Sequence, residues 1–378
     1  MHLHREGVKP HHQRCLDVQF ILKCRKLYDE ESFDSDKYPE YCISSGLLNS
    51  AKFVSEMLKQ EGVRVKLDQV VDANGIDRIV HHSKPRICII EALWVTPAKL
   101  AELQDLHPNI LWVVRLHSNT PFLANEGIAI EWIREYLRMD GVVVAGNHKH
   151  VVEDLETLCA TTDDEFGCLG KIAYLPNYYE TKGEHVPFIS TTNIRNSTLN
   201  VGCFGALRPL KNQLQQAIAA IAFCDSIGLD LRFHINAGRI ENKGENVLKN
   251  LEALFANHPQ HKLIKHPWLN HHDFMKLVEE MDVGMQVSFT ETFNIVAADF
   301  VVLGKPVVVS KEIDWLPGVY KVDPTSPKSI TKGIGRALTC LTGPWRAMRA
   351  LKRYDSRSKQ EWLDFIFAEE WLNPCLED

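Results

Sequence analysis

VGCFGALRPLKNQLQQAIAAI, residues 201–221, runs from an apolar strand into a turn holding Gly202 and Gly205, then through Arg208 and Lys211 into a patterned helix that opens near Asn212. A turn at the C-terminal edge of a strand is where open α/β sheets bind ligands. Small residues let the backbone approach a phosphate, and two cations three residues apart can both point at it from one turn. The stretch therefore reads as a cationic clamp for a diphosphate. Taken alone it fits a surface βα loop with two cations equally well.

Outward from this stretch, short β-rich apolar runs alternate with longer amphipathic ones along most of the chain, which is the pattern of βαβ units and a parallel sheet. Strands are expected at 18–22, 63–67, 86–91, 110–116, 141–145 and 171–175, with helical periodicity between them, as at 49–59 and 97–103. Residues 179–197 are polar, lack a clear period and contain Gly and Pro, so they read as a linker. The strand pattern then restarts at 199–205, 230–237, 262–265, 283–287 and 306–309. The expected organisation is an N-terminal Rossmann-like domain over 1–185, a second over 198–345, and terminal helices over 346–378.

A second informative stretch is VSFTETFNIVAADFVVLGKPVVVS, residues 287–310. A strand ends at Ser288, an acidic loop follows, and a helix is expected from near Asn294 to Gly304. Glu291 in the loop would sit beside the helix N-terminus, whose free backbone N–H groups, from Thr292, Phe293 and Asn294 with Ile295 behind them, favour an anion. Asp299, two helical turns below that terminus, can accept paired hydroxyl hydrogen bonds such as a ribose diol offers. An acid pair at this spacing is otherwise two surface residues.

These blocks, in this order and about eighty residues apart, resemble the C-terminal half of retaining GT-B glycosyltransferases, the large family that includes sucrose-phosphate synthases and bacterial mannosyltransferases. The family's Glu-x7-Glu motif maps onto Glu291 and Asp299, and its small-residue turn onto Gly304, Lys305 and Pro306. Asp in the second position keeps the charge but reaches ~1.5 Å less than Glu. The likeness is good over 199–310 and weaker before it. There, Ser44, Ser45 and Gly46 resemble the loop that faces the donor diphosphate, His117 in RLHSN matches a histidine that contacts the transferred sugar, and Pro176 and Asn177 match a Pro-Asn turn at the end of the first domain.

The resemblance implies an α/β GT-B fold, with two Rossmann-like domains facing a central cleft and C-terminal helices packing back toward the N-terminal domain. It implies transfer of a sugar from a nucleoside-diphosphate donor, a UDP- or GDP-sugar, to a hydroxyl acceptor with retention and without a metal or other cofactor. Arg208 and Lys211 would stabilise the leaving diphosphate, His117 would orient the sugar, Glu291 would hold its hydroxyls and Asp299 would anchor the ribose. Gly46, Gly205 and residues 292–295 would complete the donor site. A non-catalytic nucleotide-sugar binder or an epimerase of the same architecture is the alternative. The acceptor stays open between glycan, lipid, small molecule and a modified DNA base.

Composition narrows the remaining classes. The 378-residue chain is 45% hydrophobic, enough for two cores. No apolar run approaches the ~20 residues of a membrane span, and the polar, His-rich start lacks the apolar core of a signal peptide, so a cytoplasmic protein is expected. Ten cysteines scattered singly read as reduced thiols. The net charge of −6 exerts no global pull on nucleic acid, and the basic run from Arg346 to Lys359 reads as a solvated helix face. His81, His82, His271 and His272 have no third ligand at useful spacing and read as surface residues, so no metal is expected.

Overall fold

The computed structural model describes residues 16–24, 46–161, 171–181, 186–188 and 197–368. Ser44, Ser45 and the polar start lie outside them. Two six-stranded sheets, parallel throughout, organise the chain. The first contains β1 (Val18–Lys23), β2 (Val65–Val70), β3 (Ile87–Glu91), β4 (Leu111–Leu116), β5 (Val142–Gly146) and β6 (Ile172–Tyr174), in the order β2-β1-β3-β4-β5-β6. The second contains β7 (Thr198–Gly202), β8 (Asp230–Asn236), β9 (Lys262–His266), β10 (Val283–Gln286), β11 (Val307–Ser310) and β12 (Lys321–Val322), in the order β12-β11-β10-β7-β8-β9. Every strand expected from the sequence forms. β12, two residues long, was not legible as a strand.

β3, β4 and β5 are buried along their whole length because helices cover both faces of a parallel sheet, which is why they read as apolar runs and not as alternating ones. Helices connect the strands: α1 (Gly46–Gln60) after β1, α2 (Asn74–Ser83) after β2, α3 (Pro97–Leu106) after β3, α4 (Thr120–Leu123) and α5 (Ala129–Arg138) after β4, α6 (Lys149–Ala160) after β5, α7 (Gln213–Ile227) after β7, α8 (Gly244–Ala256) after β8, α9 (His271–Glu279) after β9 and α10 (Ile295–Val302) after β10. Gly202 on β7 and Gly284 on β10 are register partners, and a Cβ on either would come within 2.7 Å of the Phe300 ring. Glycine at both positions lets Phe300 lie flat on the sheet, and this sets the height of α10 and of Asp299 beside it.

Where terminal helices were expected, the described residues form one long helix, α12 (Gly343–Phe367). Its first half belongs to the second core, where Ala347, Met348, Leu351 and Tyr354 pack with Phe293 and Phe300. Its second half crosses back to the first sheet. There Trp362 is fully buried against Phe20, and its indole N–H donates to the Pro176 carbonyl at 2.8 Å. A shorter helix, α11 (Pro327–Thr339), packs on α7 and was not foreseen.

Asp355 sits midway along α12 where the chain passes between the sheets. Its Oδ1 accepts from the Tyr179 backbone N–H at 3.0 Å, and its Oδ2 has no partner among the described residues. Burial pushes this carboxyl up to about 8 from 3.8. Between those values the folded chain holds a proton that the unfolded chain has released, so the group's contribution to stability falls as pH rises from about 4 to about 8. Denaturant unfolding of Asp355→Asn at pH 5 and pH 8 should show a smaller loss of stability with pH than the parent. Equal losses in the two proteins would place Asp355 in a solvated site.

Candidate active site

The two sequence blocks meet at the C-terminal edge of the second sheet. After β7 the chain turns at Gly205, whose φ of +115° suits glycine and whose N–H donates to Asn236 Oδ1 at 2.9 Å. A short 3-10 turn, Pro209–Lys211, then carries the chain to the Asn212 cap of α7. Lys211 does not point at open solvent: its Nζ is paired with Glu291, and both side chains are largely buried. Glu291 Oε2 also accepts from Asn294 Nδ2 at 3.0 Å. Burial works against its charge, but Lys211 and then Arg208 more than offset that and hold the carboxyl below its usual range.

Asn294, in the left-handed region at φ +61°, caps α10 by accepting from the Ala297 N–H at 2.8 Å. The Phe293 side chain faces away into the core between Trp315 and Tyr354, so only its backbone is available to the site. Asp299 stands about one turn into α10, not two, and is 1% exposed. Its Oδ1 accepts from the Tyr179 hydroxyl at 2.7 Å and lies 2.8 Å from His271 Nε2. A cavity open to solvent lies above it, lined by Gly46, Asn49, Gly205, Trp268, His271 and Ile295 among others. Gly46, Gly205, Ile295 and Asp299, all singled out from the sequence, thus share one cavity.

Residues from the first sheet close over this edge. The Asn119 side-chain amide donates to the Glu291 carbonyl, Asn147 donates to Thr292 Oγ1 at 3.2 Å, and Thr292 Oγ1 donates to the His117 carbonyl at 3.4 Å. The Arg208 guanidinium lies 4.5 Å from the ring centre of Phe122, in the short helix Thr120–Leu123 that follows His117, and 3.4 Å from Glu241. Arg208 and Lys211 therefore diverge: one is held by the facing domain's aromatic ring and the other by Glu291.

His117 is paired through Nε2 with Glu91, which also receives Arg115 Nη1 at 3.1 Å. Glu91 and Arg115 have no exposed side-chain surface, and Arg115 further donates to the carbonyls of Leu175 and Pro176 and to Asn177 Oδ1. Burial outweighs the pull of Glu91 and lowers the His117 value, favouring the neutral ring. Burial raises Glu91, but Arg115 and His117 together bring it below the usual carboxylate range. Sequence reading missed Glu91 and Arg115. The available signal was a charge in each of two otherwise apolar strands, ICIIE and LWVVRL, where an unpaired one is rare.

His271 corrects an expectation. It is a half-buried residue, the first of α9, bonded to Asp299 and edge-on to Phe53. His81, His82 and His272 are exposed, and among the described residues no group of three His, Cys, Asp or Glu is placed to hold a metal. No helix among them is long and apolar enough to cross a membrane.

No family model and no curated protein matches the sequence. Solved structures do. Anabaena HepE in complex with UDP superposes with a TM-score of 0.59 at 15% identity, over 93% of this chain and 99% of that one. An α,α-trehalose-phosphate synthase (UDP-forming) from Burkholderia vietnamiensis gives 0.63 at 11%, over 94% and 98%. An E. coli trehalose-6-phosphate structure bound with UDP-2-fluoro glucose gives 0.63 at 10%, over 92% and 98%. The fold of this chain is that of these proteins: α/β, with two parallel sheets meeting at a cleft.

Removing the Glu91 charge while keeping its shape leaves Arg115 as a buried cation without a counter-ion, a change that costs roughly 3–5 kcal/mol. Urea unfolding of Glu91→Gln should show a loss of that order. A loss below about 1 kcal/mol would mean that water reaches Arg115.

Proposed function

We propose that this chain is a glycosyltransferase that moves a sugar from a nucleoside diphosphate to a hydroxyl acceptor. The observation that carries the reading is convergence. The glycine turn, the start of α10 and Asp299 line one cavity together with Gly46 of the facing domain, and the Lys211–Glu291 pair stands on the same sheet edge, where Asn119 and Asn147 of the facing domain close on residues 291 and 292. Solved structures of the same fold that hold UDP and UDP-2-fluoro glucose support it.

In this reading residues 1–185 form the acceptor domain, 198–345 the donor domain, and 346–378 the return to the first. The nucleoside occupies the cavity beside Trp268, with its ribose at Asp299, which already binds two donors there. A ribose diol takes the place of the Tyr179 or His271 contact or uses the second oxygen. The diphosphate lies against Gly205 and the backbone N–H groups at 292–295, where the helix dipole favours negative charge.

As the glycosidic bond breaks, charge grows on the leaving diphosphate. Arg208 and Lys211 stabilise that charge more than they stabilise the bound donor, which is the condition for catalysis. Two fixed cations and a helix terminus supply the charge a divalent metal supplies elsewhere, so the reaction proceeds in a chelator. His117, neutral and held by Glu91, orients the sugar from the opposite side of the cleft, and Glu291 lies within reach of its hydroxyls. Likeness to the Glu-x7-Glu enzymes makes the reaction retaining: the acceptor attacks from the face the diphosphate leaves, and a phosphate oxygen takes its proton. Closure of the two domains excludes the water that would otherwise consume the donor. The acceptor is a glycan, a lipid, a small molecule or a modified DNA base.

Release of nucleoside diphosphate from UDP- and GDP-sugars in EDTA, without acceptor, tests this directly, because a transferase leaks to water and a simple binder does not. Release should occur with one donor and fall by roughly 10²–10³-fold in Lys211→Ala and in Arg208→Ala. Asp299→Ala should instead weaken donor binding by about 1–3 kcal/mol. No release from any donor, or full activity in both clamp variants, overturns the assignment.

A further inference from the structure

The basic run near the C-terminus is not absorbed by the cleft. On α12, Arg346, Arg349, Arg353 and Arg357 are all exposed. At about 100° per residue they fall within an arc of roughly 80°, so they form one straight row about 16 Å long. No carboxylate of the described residues pairs with any of the four, whereas Lys359 nearby is paired with Glu61. The first turn of the helix carries no acid.

Three of the four arginines also make contacts within the helix. The Arg349 guanidinium lies 4.7 Å from the ring centre of Trp345. Arg353 Nε donates to the Arg349 carbonyl at 3.2 Å and Arg357 Nε to the Arg353 carbonyl at 3.4 Å. These contacts lay three of the four guanidiniums along the helix, and those of Arg353 and Arg357 use Nε and leave the terminal N–H groups for a ligand. A chain of net charge −6 thus carries one concentrated line of positive charge.

We propose that this row binds the phosphodiester backbone of a nucleic acid. All four cations are arginine, whose planar fork matches phosphate. A strand presents one phosphate per ~3.4 Å of axis, so the ~16 Å row faces roughly five phosphates with four guanidiniums. The exposed positions between the arginines are polar, Lys352 and Ser356. The helix's apolar side is already buried in protein by Met348, Leu351 and Trp362, so it has no face left to enter a bilayer. The exposed apolar residues nearby, Leu341 and Phe188, stand at one end of the row and not along it.

The test is fluorescence anisotropy of a labelled 30-base-pair DNA duplex with the full chain, between 50 and 200 mM salt, beside a sedimentation assay on phosphatidylglycerol vesicles. Four phosphate contacts predict a slope of about −3.6 in log K against log salt, and replacing all four arginines by glutamine should flatten that slope and weaken binding at 50 mM at least ~10²-fold. The melting temperature of the variant serves as the control for folding. Failure of the parent to bind DNA at 50 mM, or equal binding by the variant, overturns the proposal. Binding to vesicles but not to DNA, lost in the variant, also overturns it and gives the row to a lipid surface. All of these readouts are independent of donor chemistry.

Discussion

The pairing of Lys211 with Glu291 is the contact on which the arrangement of the cleft depends. It joins two loops eighty residues apart in the chain, one leaving β7 and one leaving β10, which are neighbours in the sheet. Both charges are nearly out of water, so neither can be removed without stranding the other, and the Asn294 amide adds a third group to the cluster. The pair holds a cation at the sheet edge without requiring a bound anion. In the proposed reading, an arriving diphosphate meets a positioned ammonium instead of having to order a flexible lysine.

The facing domain is built on the same logic. A fully buried Glu91–Arg115 pair fixes the end of two adjacent strands, and His117 is attached to it. The His117 carbonyl in turn receives Thr292 from the loop that carries Glu291. Two buried ion pairs, one per sheet, are thus linked across the cleft by three hydrogen bonds and the stacking of Arg208 on Phe122. These linking contacts are small and polar, whereas the pairs behind them are buried charges.

Much of this was legible in the sequence because parallel strands buried on both faces leave continuous apolar runs. Eleven strands could be placed from those runs, and β12 could not because two residues carry no pattern. The cavity residues Gly205, Ile295 and Asp299 were legible from their place beside strand ends and a helix start, and Gly46 from its likeness to a loop of the resembled family. The partners of those residues were not. Nothing in the spacing of His271 or Tyr179 connects either to Asp299, since the contact is made by α9 and by a linker that reads as polar but is anchored at a buried tyrosine. Arg208 and Lys211 looked like a convergent pair because they are three apart, whereas the 3-10 turn between them sends one to Phe122 and the other to Glu291.

The central claim is that this edge of the second sheet binds a nucleoside diphosphate through fixed protein charges. The most direct test is the thermal stability of the protein with UDP, GDP, ADP or CDP in EDTA, each compared with its monophosphate. A ligand at ~100 times its dissociation constant adds about 2.7 kcal/mol. The account predicts a clear shift with one diphosphate, a much smaller one with the matching monophosphate, and no effect of the chelator. Absence of any shift, or equal shifts with mono- and diphosphates, would contradict it.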